Sequence, residues 1–82
     1  MIALTIYSRP GCRLCEDMKD TIECAVERSA LDVQIEEIDI STDADLEARY
    51  GTEIPVLLVD GKKAAKYRIT EIELRRLVGG RS

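Results

Sequence analysis

The apolar positions change period several times along the chain. Ile2, Leu4 and Ile6 alternate with Ala3, Thr5 and Tyr7. That is the period of a strand, and the second set is apolar enough for both faces to be buried. Pro10 and Gly11 break the run. From Arg13 to about Ser29 the period becomes helical. At about 100° per residue, Leu14, Met18, Ile22, Ala25 and Ser29 share one stripe, with Cys15 and Val26 at its edge. Glu16, Asp20, Glu23 and Glu27 fall opposite, facing water.

Val33 to Ile40 reads as a second strand whose apolar phase slips at Glu36-Glu37. A place near a sheet edge, or a bulge, accounts for such a slip. "STDADLEARYG" is a short helix, with Thr42 as its cap, Asp43 and Asp45 at its positive end, and Gly51 in the left-handed position after it. "PVLLV" is a continuous apolar run, which suits a central strand. Asp60-Gly61 signals a hairpin, with Lys63 to Tyr67 as the returning strand. Thr70 and Glu73 form a capping box. It opens a last helix that carries Leu74, Leu77 and Val78 and is ended by Gly79-Gly80. The order is βαβαββα. Its first two strands pair in parallel through a right-handed crossover, and its last hairpin is antiparallel. The expected fold class is α/β, a single domain over residues 1–82 with a mixed four-stranded sheet and helices on both faces.

Composition narrows the reading further. Eighty-two residues lie near the lower limit for a self-sufficient core, but a 45% apolar content is that of a folded globular chain. The net charge of −4 argues against a general nucleic-acid binder. Carboxylates crowd residues 16–47, whereas Lys62, Lys63, Lys66, Arg68, Arg75, Arg76 and Arg81 lie towards the other end. Two solvated faces of opposite sign are the plain reading of that segregation, and a charged docking site is the alternative. Residues 1–7 are too short and lack the basic start of a secretory signal, and no run has membrane-spanning length. A cytoplasmic location is therefore expected. In that compartment a close cysteine pair is more often catalytic or metal-binding than structural.

That shifts attention to "SRPGCRLCED", where Cys12 and Cys15 are three residues apart. With Cys12 at the helix start, Cys15 lies one turn on and on nearly the same face. Such alpha-carbons are roughly 5–6 Å apart, within the span of a disulfide. Cys12 meets the unpaired N–H groups and positive end of the helix, and Arg9 and Arg13 add charge nearby. These surroundings favour the nucleophilic thiolate. Cys15, deeper in the helix, stays protonated until it resolves a mixed disulfide. A metal or iron–sulfur carrier is the rival class, yet such sites usually need four ligands and the chain has no histidine. Cys24 is the third thiol. It lies about 13–18 Å further along the axis and points away from the pair, so it reads as a bystander. No metal is assigned. Inert core cysteines fit poorly, because Pro10-Gly11 places the first thiol at an exposed turn. Ile54-Pro55 stands before a buried strand, at a special turn. An Xaa-Pro bond is trans by default, whereas a cis bond there would lay the Ile54 backbone beside the thiols.

"IYSRPGCRLCEDM" resembles the active-site segment of glutaredoxins and related thioredoxin-fold proteins, within a small group with a YSRxGCxLC start. "EIDISTDADLEARYGTEIPVLLVDGK" resembles the glutaredoxin stretch from the second strand through the cis-proline to the hairpin. The likeness spans roughly residues 2–78. It implies a thioredoxin fold and a thiol–disulfide oxidoreductase with Cys12 as nucleophile and Cys15 as resolving thiol. It also implies a cis Pro55, preceded by an Ile54 backbone that holds substrate. The substrate-binding set is Arg9, Pro10, Gly11, Arg13, Leu14, Ile54 and Pro55, with the two arginines drawing an anionic thiol. The expected substrate is a disulfide-containing protein or a small thiol. Electrons would come from a reductase or from glutathione, no cofactor is tightly bound, no nucleic acid or membrane is a partner, and a monomer is expected. A fold that binds without turnover is a further alternative.

The chain departs from the glutaredoxin pattern in two places. Glutaredoxins typically read Cys-Pro-Tyr-Cys, whereas Arg13 and Leu14 stand here, so that aromatic wall is missing. Their Gly-Gly-x-Asp segment, which holds the glutathione γ-glutamyl end, is replaced by "AAKYRITEIEL". Two lost bonds to a charged group, at roughly 1.5–3 kcal/mol each, outweigh exposed arginine pairs worth about 0–1 kcal/mol. Weak glutathione recognition is expected.

Overall fold

A computed structural model describes residues 2–79. The elements are β1 (Ile2–Ser8), α1 (Arg13–Ser29), β2 (Val33–Asp39), α2 (Ala44–Tyr50), β3 (Val56–Val59), β4 (Lys62–Lys66) and α3 (Glu71–Gly79). A single 3-10 turn, Ile40–Thr42, joins β2 to α2. The strand order is β2-β1-β3-β4. β1 pairs with β2 in parallel, and the other two pairs are antiparallel. This is the mixed four-stranded sheet with three helices that the pattern predicts.

One face of the sheet carries the core. Leu4 and Ile6 of β1 and Leu57 and Val59 of β3 meet Met18, Ile22 and Ala25 of α1 and Leu74 and Val78 of α3. The other face is only partly covered. Tyr7 packs on Tyr50 of α2, ring centres 4.9 Å apart, and Val56 and Leu58 are buried, but Ala3 is exposed. The expectation that both faces of β1 are buried is met on the core face alone; on the other, Thr5 and Tyr7 are half-buried and Ala3 is exposed, because α2 has just seven residues. β3 is buried throughout and lies between β1 and β4, as a continuous apolar run requires.

Several boundaries differ from the sequence expectation, each for a local reason. β2 ends at Asp39, whose carboxylate accepts the Ser41 N–H at 2.9 Å and turns the chain, so Ile40 leaves the strand. Asp43 rather than Thr42 caps α2. One Asp43 carboxylate oxygen takes the N–H groups of both Asp45 and Leu46, while the Thr42 hydroxyl donates back to the Asp39 carbonyl. Gly51 is right-handed (φ −55°), not left-handed. Its missing side chain is explained by space: a Cβ there would lie 2.5 Å from the Glu47 carbonyl oxygen and 3.3 Å from Arg9 Nη2. The hairpin turns at Asp60 (φ 51°) and Gly61 (φ 84°), the paired positive angles of its tight turn. β4 runs Lys62–Lys66 and is bulged at Ala64, since Lys63 and Ala65 pair with the consecutive residues Leu58 and Leu57. Tyr67 drops out of it by taking φ 69°. The Thr70 hydroxyl accepts the Glu73 N–H at 3.1 Å, and the reciprocal bond joins the Glu73 carboxylate to that hydroxyl. Gly80 and Arg81 lie outside the described residues.

Candidate active site

The site begins where β1 runs out. Cys12 N–H closes a turn onto the Arg9 carbonyl (3.2 Å), and Gly11 takes φ 78° inside it. A Cβ on Gly11 would meet nothing within 4 Å, so this glycine is needed for its backbone angle alone. The turn delivers Cys12 as the cap of α1. Its Sγ accepts the Cys15 N–H at 3.1 Å, and its carbonyl accepts Glu16 N–H. Cys12 and Cys15 are joined as a disulfide with alpha-carbons 5.2 Å apart, the separation their spacing predicts. Cys12 is half-buried, whereas Cys15 is 2% exposed. Cys24 is a free, exposed thiol on another part of α1.

Two hollows flank the pair, cut from opposite sides of α1. The first, about 330 Å³, is lined by Arg9, Pro10 and Gly11, by both cysteines, and by charged chains of α1 and β2. Ser8, buried on the core-facing phase of β1, donates to Glu37 Oε2 (3.2 Å), and Lys19 reaches Glu37 Oε1 (3.4 Å). Asp39 completes the rim. Hydrogen bonds from the Ser41 hydroxyl and N–H, with a smaller contribution from the Arg9 charge, hold the Asp39 carboxyl below the usual aspartate range. Arg9 forms an ion pair with Glu47 of α2. The other Glu47 oxygen is buried with no hydrogen-bond partner among the described residues.

The second hollow, about 250 Å³, lies between α1 and the segment after β4. Leu14, Met18 and Thr21 form one wall, and Tyr67, Arg68 and Ile69 the other. Leu14 is 37% exposed, not on the buried stripe expected for it. The stripe is rotated so that Cys15, Met18, Ile22 and Ala25 face the core. Arg13 is exposed at the first residue of the helix and lines neither hollow.

The Ile54–Pro55 bond is cis, as the family resemblance implies and the default for an Xaa-Pro bond does not. Pro55 is fully buried, and its carbonyl accepts Tyr67 N–H at 2.8 Å. β3 begins at Val56, so the Ile54 backbone lies outside the ladder. Ser8, Lys19, Glu37 and Asp39 are absent from the sequence-derived set, although one signal for them was present. The β2 phase slip is the point where the face towards α1 turns from Val33 and Ile35 to Glu37 and Asp39. Tyr67, Arg68 and Ile69 carry no such signal.

Solved structures share this fold. The structural-genomics target XcR50 from X. campestris is 27% identical with a TM-score of 0.71, over 94% of this chain and 96% of that one. Protein Ne2328 from Nitrosomonas europaea is 24% identical with a TM-score of 0.79, over 94% and 91%. A mutant thioredoxin from Halobacterium salinarum, 23% identical with a TM-score of 0.65 over 96% and 73%, shows the thioredoxin fold. Among curated sequences, a glutaredoxin-like protein (YDR286C homolog) of Dictyostelium discoideum is 35% identical over 77 residues, 89% of this chain and 71% of that protein. The model of the Glutaredoxin-like domain (DUF836) matches residues 3–79. A thioredoxin fold that presents a Cys12–Cys15 pair at a helix start thus coincides with a family match over nearly the whole chain, and the chain belongs to the glutaredoxin-like family.

Proposed function

We propose that the chain is a thiol–disulfide oxidoreductase acting on disulfide-containing proteins or small disulfides in the cytoplasm. One observation carries the reading: the two cysteines differ in exposure and in position on the helix. Cys12 caps α1, with the Cys15 N–H aimed at its sulfur, while Cys15 is buried at the floor of the first hollow. In the reduced pair, that N–H and the positive helix end favour the Cys12 thiolate. Cys12 Sγ attacks one sulfur of the substrate disulfide and expels the other as a thiolate. Cys15 then loses its proton and attacks Cys12 Sγ, releasing the second substrate thiol. Two electrons pass to the substrate, and the Cys12–Cys15 disulfide is left.

The charge around the thiols supports weak use of glutathione. The first hollow holds Glu16, Glu37 and Asp39 against Arg9 and Lys19, and Arg9 is already paired with Glu47. An anionic tripeptide gains little there, so a thioredoxin-reductase-type enzyme or a dedicated partner is the better electron donor.

Trapping tests the division of labour. Cys12→Ser abolishes disulfide reduction. Cys15→Ser still attacks and accumulates a mixed disulfide on Cys12, read by mass spectrometry. An adduct on Cys15 in Cys12→Ser, with none on Cys12 in Cys15→Ser, reverses the assignment. Absence of any adduct removes the redox reading. For the donor, a glutathione Michaelis constant equal to that of an ordinary glutaredoxin, in an assay coupled to glutathione reductase, refutes weak recognition.

A further inference from the structure

Arg9 and Lys19 are the cations that line the first hollow, and each is paired with a carboxylate. The two carboxylates are used differently. Glu37, the partner of Lys19, lines the hollow itself and employs both oxygens, one for the Ser8 hydroxyl and one for Lys19. Glu47, the partner of Arg9, reaches across from α2 and is not part of the lining. Its Oε1 meets Arg9, whereas its Oε2 is buried with no hydrogen-bond partner among the described residues. A carboxylate kept only for stability would be expected to use both oxygens, because a buried acceptor left unpaired is destabilising. Gly51 makes room for the pair. A Cβ there would lie 3.3 Å from Arg9 Nη2 and 3.4 Å from Glu47 Oε1, so the glycine leaves clear the gap that the two side chains fill. Arg9 is otherwise well placed to meet a substrate. Its carbonyl accepts Cys12 N–H at 3.2 Å, and its side chain lines the hollow that holds both cysteines.

We infer that Glu47 is a specificity-determining residue: it holds the Arg9 guanidinium towards α2 and so turns the hollow beside Cys12 against small anionic disulfides. The inference rests on the oxidoreductase reading and assigns its charge preference to one residue behind the site wall. The remaining charges have the same sense. Arg9 and Lys19 face Glu16, Glu37 and Asp39 in the lining, with Glu47 behind Arg9 as a further carboxylate. Arg13 is exposed but lines neither hollow, so it does not replace Arg9 there. Releasing Arg9 from Glu47 therefore restores a cation to the side of the hollow next to Cys12.

The test uses two small symmetrical disulfides, the dianion dithiodipropionate and the neutral bis(2-hydroxyethyl) disulfide. Pre-reduced protein passes two electrons to either one. Cys12 Sγ expels the first thiolate, Cys15 attacks Cys12 Sγ and expels the second, and the Cys15 proton passes to a released thiolate as the Cys12–Cys15 disulfide forms. Released thiols, counted by chromatography in a single turnover, give the ratio of the dianion's rate constant to that of the neutral disulfide. A ratio cancels any change in the intrinsic reactivity of the thiols. Glu47→Gln and Glu47→Ala each raise it about threefold, an effect of the size that one partly exposed charge pair supplies, Arg9 and Glu47 being 37% and 42% exposed. Arg9→Gln added to Glu47→Gln returns the ratio to within about 1.5-fold of that of the unaltered chain. Glu71→Gln makes the same change of net charge at the Arg28 pair on α3 and leaves the ratio in place. A ratio unmoved in both Glu47 variants overturns the inference, as does an equal rise in Glu71→Gln or a rise that survives the loss of Arg9. Turnover of the neutral disulfide alongside any of these results leaves the oxidoreductase reading standing. Failure of the unaltered chain to reduce either disulfide overturns both.

Discussion

The two hollows beside the disulfide share one helix and little else. On one side, Glu16 and Lys19 of α1 face Glu37 and Asp39 of β2, and Ser8 lies in the wall. On the other, Leu14, Asp17 and Met18 of α1 face Tyr67, Arg68 and Ile69. The first is closed by ion pairs and hydrogen bonds, among them that of the buried Ser8 to Glu37; the second borders the core at Met18 and Ile69 and carries charge only at Asp17 and Arg68. The same helix rotation that buries Cys15 turns Leu14 out to water. The contrast shows how a short motif can set one cysteine pair between two differently built hollows.

The comparison breaks most severely at Met18, which is 2% exposed and belongs both to the second hollow and to the core. Met18→Ala costs about 2–5 kcal/mol in urea denaturation. A loss under about 1 kcal/mol would mean that the second hollow is a surface feature unconnected with the core. Gly51 is the next test, on the charged side. Gly51→Ala pushes a Cβ against the Glu47 carbonyl and the Arg9 guanidinium. It lowers stability by about 1–3 kcal/mol, or about 4–8 °C in melting temperature for each kcal/mol. An unchanged melting temperature shows that the segment after α2 can yield.

Smaller effects sharpen the charged side. Ser8→Ala removes the buried donor to Glu37 and costs about 0.5–1.5 kcal/mol by chemical denaturation. Stability equal to that of the unaltered chain would assign Glu37 entirely to Lys19 and solvent. The smallest change is in Asp39. Its carboxyl is held down chiefly by Ser41, so its contribution is complete above the usual aspartate range, near pH 4, and is lost as pH falls through the lower native value. Ser41→Ala moves the Asp39 midpoint up in a carbon-detected NMR titration. A midpoint that stays in place refutes Ser41 as the main cause.

Legibility in the sequence followed the range of the forces. The α1 limits, the Asp60–Gly61 turn and the Thr70 cap are set by neighbours a few residues apart, and the chain spells them out. The Cys12–Cys15 separation follows from helix geometry alone. Choosing between Thr42 and Asp43 as cap was harder, because both residue types cap helices. The carboxylate oxygen takes two N–H groups at once, and that decides it. Gly51 was misassigned because a glycine just past a helix usually marks the left-handed position, whereas here the backbone stays right-handed and a Cβ would meet the Glu47 carbonyl oxygen, four residues back. The second hollow joins residues 14–21 to residues 67–69, and no local period announces that contact. Glu37 was visible only as a flaw in an apolar alternation, and became part of the site once β2 was placed beside β1.

The bulged fourth strand has a consequence for self-association. β4 is an outer edge of the sheet, and Lys62, Lys63 and Lys66 are exposed along it. A strand arriving from a second molecule would have to strip water from those ammonium groups and match a ladder already broken at Ala64. Lysines and a bulge are the devices by which sheet edges resist such additions. In a crowded solution, growth of this sheet into a shared, multi-chain β-structure is opposed at β4 by the side chains of the strand itself.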